Sequence, residues 1–435
     1  MGTGSEPSLG EKLRVATIAS MGTIIEAYDN FLTALVSIAI WPFVFFPKFN
    51  PLVGVLAGVT TFGVGLASRP LGALIFGHFS DRLGRKFSLI WTLVSMGGGT
   101  LAIALTPSYQ SIGILGGILV IIFRIIQGMG FGGEWGGATA ILSEYTLRSR
   151  WRALWVSWVP NGVSFGLFFA ALAYVLLSLL FPKAEIISFA WRIPFIIGAI
   201  VILIGILVRY TLSESPVFSK LLERGDVARA PSIDVLRKYW KKILMLSATW
   251  WYVIGNGFLL NTVAVGIMLS TKLTLLEAYT TVIGAAVVGG VTAILGAALA
   301  DKIGRKKTIL ISSGITALVS FPYLYLLTSG NFYLDFLAQS MWQGVLFIGQ
   351  GVGAGALFAE SFPTKYRASG VGLSFTFGAA IAGTLVPIVS QTLIALSHGV
   401  SKAWPEIATL VFLVALVSFL VGLFIKDTSK VDLEK

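Results

Sequence analysis

FRIIQGMGFGGEWGGATAILSEY, residues 123–145, decides how the rest of the chain is read. The stretch is mostly apolar, and roughly 20 such residues suffice to cross a bilayer. Yet Arg124, Gln127 and Glu134 lie inside it. A charge at the centre of a membrane helix costs roughly 2.5–3.5 kcal/mol by insertion scales, so it persists where it faces a partner or water. At 100° per residue these three side chains fall on one side of a helix. Gly128, Gly132 and Gly136, and again Gly133 and Gly137, recur every four residues. That spacing lets neighbouring helices come close. A tightly packed helix with a polar stripe inside a membrane is the part of a transporter that touches solute.

Composition widens this reading to the whole chain. The 435 residues are 56% hydrophobic and only 12% charged, with a mean hydropathy of +0.86. A soluble domain is nearer 25% charged. The first ten residues are polar and lack the basic–apolar–small order of a cleaved signal, so the first apolar run is expected to be a retained helix. With no cysteine, disulfides, cysteine-held metals and thiol nucleophiles are excluded. The two histidines, His78 and His398, lie far apart, which leaves metal chemistry without ligands.

Twelve apolar spans are expected, near 14–46, 52–78, 87–107, 111–143, 153–180, 190–211, 243–270, 275–299, 308–328, 332–359, 367–397 and 404–426. The net charge of +12 is distributed by side. The odd-to-even loops hold Lys48, Lys183, Arg192, Lys272 and Lys402, and Arg69 and Arg124 lie within spans. The other Lys and Arg cluster at the termini and in the even-to-odd loops. Positive charge marks the cytoplasmic side, which places both termini there. The basic excess is therefore a topology signal and not a nucleic-acid site.

The chain in order gives the candidate residues. In span 1, Glu26 and Asp29 are three apart, neighbours on one helical face. Two carboxylates so close in a poorly hydrated place can exchange a proton, as a proton-coupled carrier requires; the alternative is an always-charged Asp at a helix break. Span 2 carries Arg69-Pro70 and ends in Gly77-x-x-x-Asp81-Arg82-x-Gly84-Arg85-Lys86. Asp81 can accept from a helix N-terminus or a basic side chain and so lock two helices in one state. Gly128-x-Gly130-x-x-Gly133 copies the letters of a dinucleotide loop, and Gly162-x-Ser164-x-Gly166 those of a hydrolase elbow. Neither sits between a strand and a helix, and both are rejected. No G-x4-G-K-[ST] occurs. Catalysis finds no constellation, and the chain is not expected to be an enzyme or to hold a cofactor.

Residues 213–242 form the only long polar interval and read as a cytoplasmic linker. The second half then repeats the first: Asp301-Lys302-Ile303-Gly304-Arg305-Lys306 echoes Asp81 to Lys86, and Glu360 to Arg367 echoes the region that begins at Glu144. Two such echoes at nearly one offset imply two six-helix pseudo-repeats, 1–212 and 243–435, with a solute site near mid-membrane at their interface. Spans 7–12 offer amides and aromatics there. Trp251, Asn256, Gln339 and Gln343 are candidates, as are Tyr28, Gln127 and Asn161 in the first half.

Taken together, these residues resemble the major facilitator superfamily over essentially the whole chain. The Gly77-to-Lys86 run matches the signature loop between its helices 2 and 3 completely. Within the superfamily the chain is most similar to the metabolite:proton symporters, on Glu26-Ala27-Tyr28-Asp29, Arg69-Pro70-Leu71-Gly72, Gly132-Gly133-Glu134-Trp135-Gly136-Gly137-Ala138 and Glu214-Ser215-Pro216-Val217-Phe218. The resemblance implies an all-α fold of twelve transmembrane helices in a cell membrane, and uptake of organic acids, proline or betaine driven by the proton gradient. Monomeric behaviour is expected by resemblance only.

Sugar porters share the Tyr-Asp of helix 1 and the Arg of helix 4, matched here by Asp29 and Arg124, whose pairing there is tied to proton coupling. Their paired glutamines of helix 7 are replaced by Trp250-Trp251. Their Gly-Pro-x-Pro-Trp is replaced by Gly351-Val352-Gly353-Ala354-Gly355. The expected mechanism follows. Asp29, with Glu26, takes the proton; Arg124 is its partner and then holds an anionic solute; Glu134 is a relay or a partner of Arg124. Arg69 reads as a second anion contact or an interhelix clamp, the clamp being preferred. Asp81, Arg82, Gly84, Arg85, Glu144 and Arg152, with Asp301, Gly304, Arg305, Glu360 and Arg367, are expected to gate. A neutral or zwitterionic solute is the rival within transport, and a non-transporting receptor or scaffold is the rival outside it.

Overall fold

The computed structural model describes residues 8–83, 85–146, 149–210, 231–363 and 366–431. Gly84 and the side chains of Asp81, Arg82, Arg85 and Glu144, all expected to gate, lie outside the described residues. Every regular element among the described residues is helical, and helices stand in all twelve expected stretches.

The helices are α1 (Leu9–Ala39), α2 (Pro51–Ala67, resuming as Arg69–Leu83), α3 (Arg85–Leu105), α4 (Leu115–Gly132, resuming as Trp135–Tyr145), α5 (Arg152–Leu180) and α6 (Arg192–Tyr210). They continue with α7 (Trp251–Ser270), α8 (Leu275–Ile303), α9 (Arg305–Leu327), α10 (Phe332–Glu360), α11 (Arg367–Leu396) and α12 (Val400–Phe424). Nine of the described helices are long and apolar enough to span a membrane, and α6 with the short helix bent 44° before it makes a tenth. In α3 the apolar part is only Ile90–Leu105. The middle of α1 carries Glu26, Asp29 and Asn30, which lower its hydropathy.

Apolar side chains face outward: Leu318 and Phe424 are 77% and 78% exposed. The interior is where the polar residues are, with serines and threonines bonded to carbonyls of their own helix, as in Ser20 to Ala16 O at 2.6 Å. This inversion suits hydrocarbon as the surrounding solvent, because a helix satisfies its backbone polar groups within itself. Span 7 departs from expectation. Its first residues belong to a separate amphipathic helix, Pro231–Ala248, which takes up part of the interval 213–242 and turns at Thr249–Trp250 before α7 begins.

Breaks in the helices set the directions of the key side chains. Pro70 has no N–H to give and restricts the residue before it. Accordingly α2 breaks at Ser68, whose hydroxyl donates to Ile125 O of α4 at 3.1 Å. The glycine repeat does what its spacing suggests at three positions. A Cβ at Gly128 would lie 2.0 Å from Gly65 O, one at Gly132 2.0 Å from Arg69 O, and one at Gly136 2.1 Å from Ala368 O. Thus α4 lies directly on α2 and then on α11, whereas Gly137 has open space beside it. Helices from the two halves of the sequence meet mainly as α5 on α8 and as α2 and α4 on α11.

Candidate functional site

A small cavity of about 60 Å³ lies between helices from both halves of the sequence. α1 contributes Glu26 and Asn30, α2 Arg69, and α4 Trp135; α7 contributes Trp250 and Asn261, α10 Gln343 and Gln350, and α11 Phe375. One water needs roughly 10–15 Å³ of such space, so this cavity takes a few waters, and a metabolite enters only if the walls part. Among the described residues Glu26 and Arg69 are the charged ones that line it, 3% and 2% exposed, with an N–O separation of 3.5 Å. Trp135 hydrogen-bonds Glu26. The Arg69 guanidinium lies 5.0 Å from the Phe131 ring and 5.9 Å from the Phe375 ring, a placement that stabilises a desolvated cation. Trp135 stacks on Phe375 with centroids 3.8 Å apart, and Trp250 packs against Phe375 at 5.1 Å. Aromatic rings thus bridge the two halves at one side of the cavity.

Asp29 and Arg124, expected in the cavity, lie behind its wall. Glu26 and Asn30 share the cavity face of α1, and Asp29, 60° further round, turns toward α3 and α4. Its carboxylate accepts from Thr100 Oγ1 at 2.7 Å and from Gln127 Nε2. Gln127 Nε2 also donates to Thr100 at 2.9 Å, and Gln127 Oε1 accepts from Arg124. Arg124 donates further to Phe62 O at 3.3 Å, in space that Gly65 leaves clear. Asp29 and Arg124 therefore do not pair directly: the Gln127 amide stands between them and polarises toward both. Gln127 is a bridge in this cluster and does not line the cavity. Glu134 also faces away, with Thr92 of α3 donating to it at 3.4 Å, because α4 breaks at Gly133–Glu134 and re-aims the next turn.

The remaining candidates divide by partner. Gln343 lines the cavity, as does Gln350, whose amide donates to Pro160 O of α5 at 3.2 Å. Asn256 points to α12, donating to Val411 O at 3.5 Å. Gln339 accepts from Tyr323 Oη at 2.7 Å, Tyr28 donates to Pro194 O at 3.1 Å, and Trp251 donates to Ser247 Oγ at 3.1 Å. These four serve helix packing and are corrected as cavity residues. Asn161 sits at the α5–α8 contact near Gly290. Arg69 changes in the other direction, from preferred clamp to cavity residue. Trp250, Asn261 and Gln350, among the amides and aromatics that spans 7 and 10 offer, line the cavity, and so do Asn30, Trp135 and Phe375, to which the sequence assigns no solute contact. An amide or tryptophan inside an apolar span was the available signal, but the rotation of each helix was not.

At the end of the bundle that carries the termini, charges tie the halves together. Glu360 accepts from Arg152 Nε at 2.7 Å, from Arg305 at 2.9 and 3.2 Å, and from Thr428 Oγ1 at 2.5 Å. Asp301 accepts the N–H groups of Ala153 and Leu154 at 3.0 Å, capping the start of α5, and pairs with Arg305 at 2.9 Å. An anion at a helix N-terminus is favoured by its free N–H groups. Gly304, with φ +98°, makes the turn from α8 to α9, and Arg367 donates to Ala359 O at 3.1 Å. Asp427 accepts from the Lys306 N–H at 3.1 Å. Burial works against its charge, but the Ser429 hydroxyl and N–H, the Lys306 N–H and the Arg305 charge outweigh it and hold its carboxyl below the usual range.

The opposite end is open. A second cavity, about 800 Å³, lies among the ends of α1, α5 and α7 and the starts of α2, α8 and α12 that face away from the termini.

With this geometry in view, the Major Facilitator Superfamily pattern matches residues 22–387. The inner membrane metabolite transport protein YhjE of Escherichia coli K12 is 33% identical over 88% of each chain. The shikimate transporter of the same organism is 31% identical, over 97% of this chain and 96% of that protein. Its proline/betaine transporter is 32% identical, over 96% and 84%. The solved xylose transporter XylE from E. coli, in a partially occluded inward open conformation, superposes with a TM-score of 0.75 over 96% of this chain and 98% of that one. At 18% identity that likeness shows the fold alone.

Proposed function

The chain belongs to the major facilitator superfamily and is a multi-pass membrane transporter of a small molecule, not an enzyme; we propose further that it is a proton-coupled symporter of a small organic acid. It works by alternating access in the cell inner membrane. The halves 1–212 and 243–435, joined by the linker 213–242, rock about the cavity, with both termini cytoplasmic. The observation that carries the reading is the Glu26–Arg69 ion pair in a cavity wall shared by both halves. A carboxylate there can carry a proton, and a guanidinium there can hold an anion, so proton and acid move together with little net charge in low dielectric. Shikimate, proline and betaine, named for the relatives, each carry a carboxylate, which a sugar lacks. The Asp29–Gln127–Arg124 cluster ties α1, α3 and α4 to one another.

Uptake into proteoliposomes of labelled organic acids, sugars and betaines tests this. An acid is expected to accumulate only under an inward proton gradient, and an unlabelled sugar to leave its uptake unchanged. Uptake indifferent to the gradient means a uniporter or exchanger instead. The second reading, a zwitterion, is favoured by the aromatic faces of Trp135 and Trp250 beside Glu26, which suit a substrate cation. Betaine accumulating while simple acids do not is its signature.

A further inference from the structure

Arg69 is poorly served by its own protein. Its Nε is buried and bonds nothing, and its ion pair with Glu26, at 3.5 Å, is longer than the roughly 2.7–2.9 Å of a strong charged hydrogen bond. The guanidinium can give five hydrogen bonds in a planar fork that matches a carboxylate. Around it, in the same cavity wall, Glu26 Oε2, Asn30 Oδ1, Asn261 Oδ1 and Gln343 Oε1 are also buried without partners. A buried polar atom left unbonded costs about 1–3 kcal/mol, so such a concentration in one cavity marks a place that a polar guest completes.

We infer that Arg69 is the residue that binds the solute's carboxylate, and that Glu26 is the resident anion which this carboxylate displaces. The inference rests on the transport reading above and names the chemistry of its site. The exchange balances. Before binding, Arg69 (+1) and Glu26 (−1) sum to zero. After it, the incoming carboxylate (−1) holds Arg69, and Glu26 has formed one O–H bond with a proton from the open side, so the sum is again zero. One proton is bound for each carboxylate, and neither enters alone without leaving a net charge in the cavity. The unpartnered amide oxygens accept, so the solute is a compact monocarboxylate with donor groups such as hydroxyls. The charges that Glu26 feels are those of Arg69 from α2, of Glu134 from α4 behind the cavity wall, and of Asp29 on its own helix. Among the described residues, the cavity walls from α5, α7, α10 and α11 contribute no charged group.

Binding to purified protein, read by thermal shift with glycerate, quinate, betaine and glucose as probes, tests this independently of transport. Wild type should bind glycerate or quinate, with affinity rising about tenfold per unit fall in pH, as uptake of one proton requires. Arg69→Gln should weaken that binding by about a hundredfold or more. Glu26→Gln should bind the same acid without pH dependence, exchange it at a reduced rate, and lose gradient-driven accumulation. The double variant Glu26→Gln/Arg69→Gln has no buried charge in the cavity and separates lost binding from lost folding. The inference falls if Arg69→Gln binds the acid as wild type does, if Glu26→Gln keeps the pH dependence, or if only betaine or glucose binds. Acid binding that depends on Arg69, with no flux in proteoliposomes, sinks the transport reading and leaves this carboxylate site standing.

Discussion

Glutamine in place of Glu360 is expected to open the bundle at the end that carries the termini. The carboxylate receives four donated bonds, from Arg152, Arg305 twice and Thr428, and is 4% exposed. Removing one side of a buried ion pair costs about 3–5 kcal/mol, because the partner charges stay buried without a counter-ion. Arg152 belongs to α5 and Glu360 to α10, so the contact exists only while the halves of the sequence touch at this end. Its loss therefore penalises the closed arrangement more than an open one, and about 1.4 kcal/mol of difference already shifts the populations tenfold.

The chain has no cysteine, so a single introduced thiol reports alone. Ser157 is fully buried one turn into α5, and its Cβ lies 3.0 Å from where a Cβ on Gly351 would stand. With Ser157→Cys alone, a maleimide applied from the termini side should react slowly. Adding Glu360→Gln should speed labelling by about tenfold or more. A lowered melting temperature with unchanged labelling would show that the network supports the fold and does not gate.

Much of this architecture is legible in sequence because its causes are local. Length and apolarity place most of the helices, and charge placement separates the two ends. The site is less legible because it depends on rotation. Glu26 and Asp29 are three residues apart, yet one lines the cavity and the other is sealed against α3 and α4. Arg69 and Arg124 exchange their expected places for a related reason. The Ser68–Pro70 break in α2 sends Arg69 into the cavity, while the Gln127 amide captures Arg124. The amides show the same limit. Gln343 and Gln339 lie one turn apart on α10, but Tyr323 of α9 claims Gln339. Non-local partners decide such cases, and π-helical turns at Val352–Leu357 and Ala379–Gly383 further shift the phase of α10 and α11.

The stretch 123–145 also supplies a matched pair of substitutions with opposite expected results. A Cβ added at Gly132 would lie 2.0 Å from Arg69 O and 2.9 Å from Ala73 N, both backbone atoms that no side-chain rotation can move away. Restoring ordinary contact requires α4 and α2 to separate by about 1 Å, and overpacking of this kind typically costs 1–3 kcal/mol and occasionally more. The displaced carbonyl is that of Arg69, so the guanidinium moves with it. Gly132→Ala should therefore lower the melting temperature in detergent, broaden the size-exclusion profile, and weaken solute binding in whatever fraction still folds. Gly137, five residues on, has nothing within 4 Å of an added Cβ. There, alanine removes only the backbone freedom of glycine, worth about 0.5–1 kcal/mol within a helix, and Gly137→Ala should melt at or above the wild-type temperature. Equal behaviour of the two variants would mean that the α2–α4 contact is looser than these distances state. In that case Arg69 would be held by its aromatic neighbours Phe131 and Phe375, and not by the close approach of the two backbones.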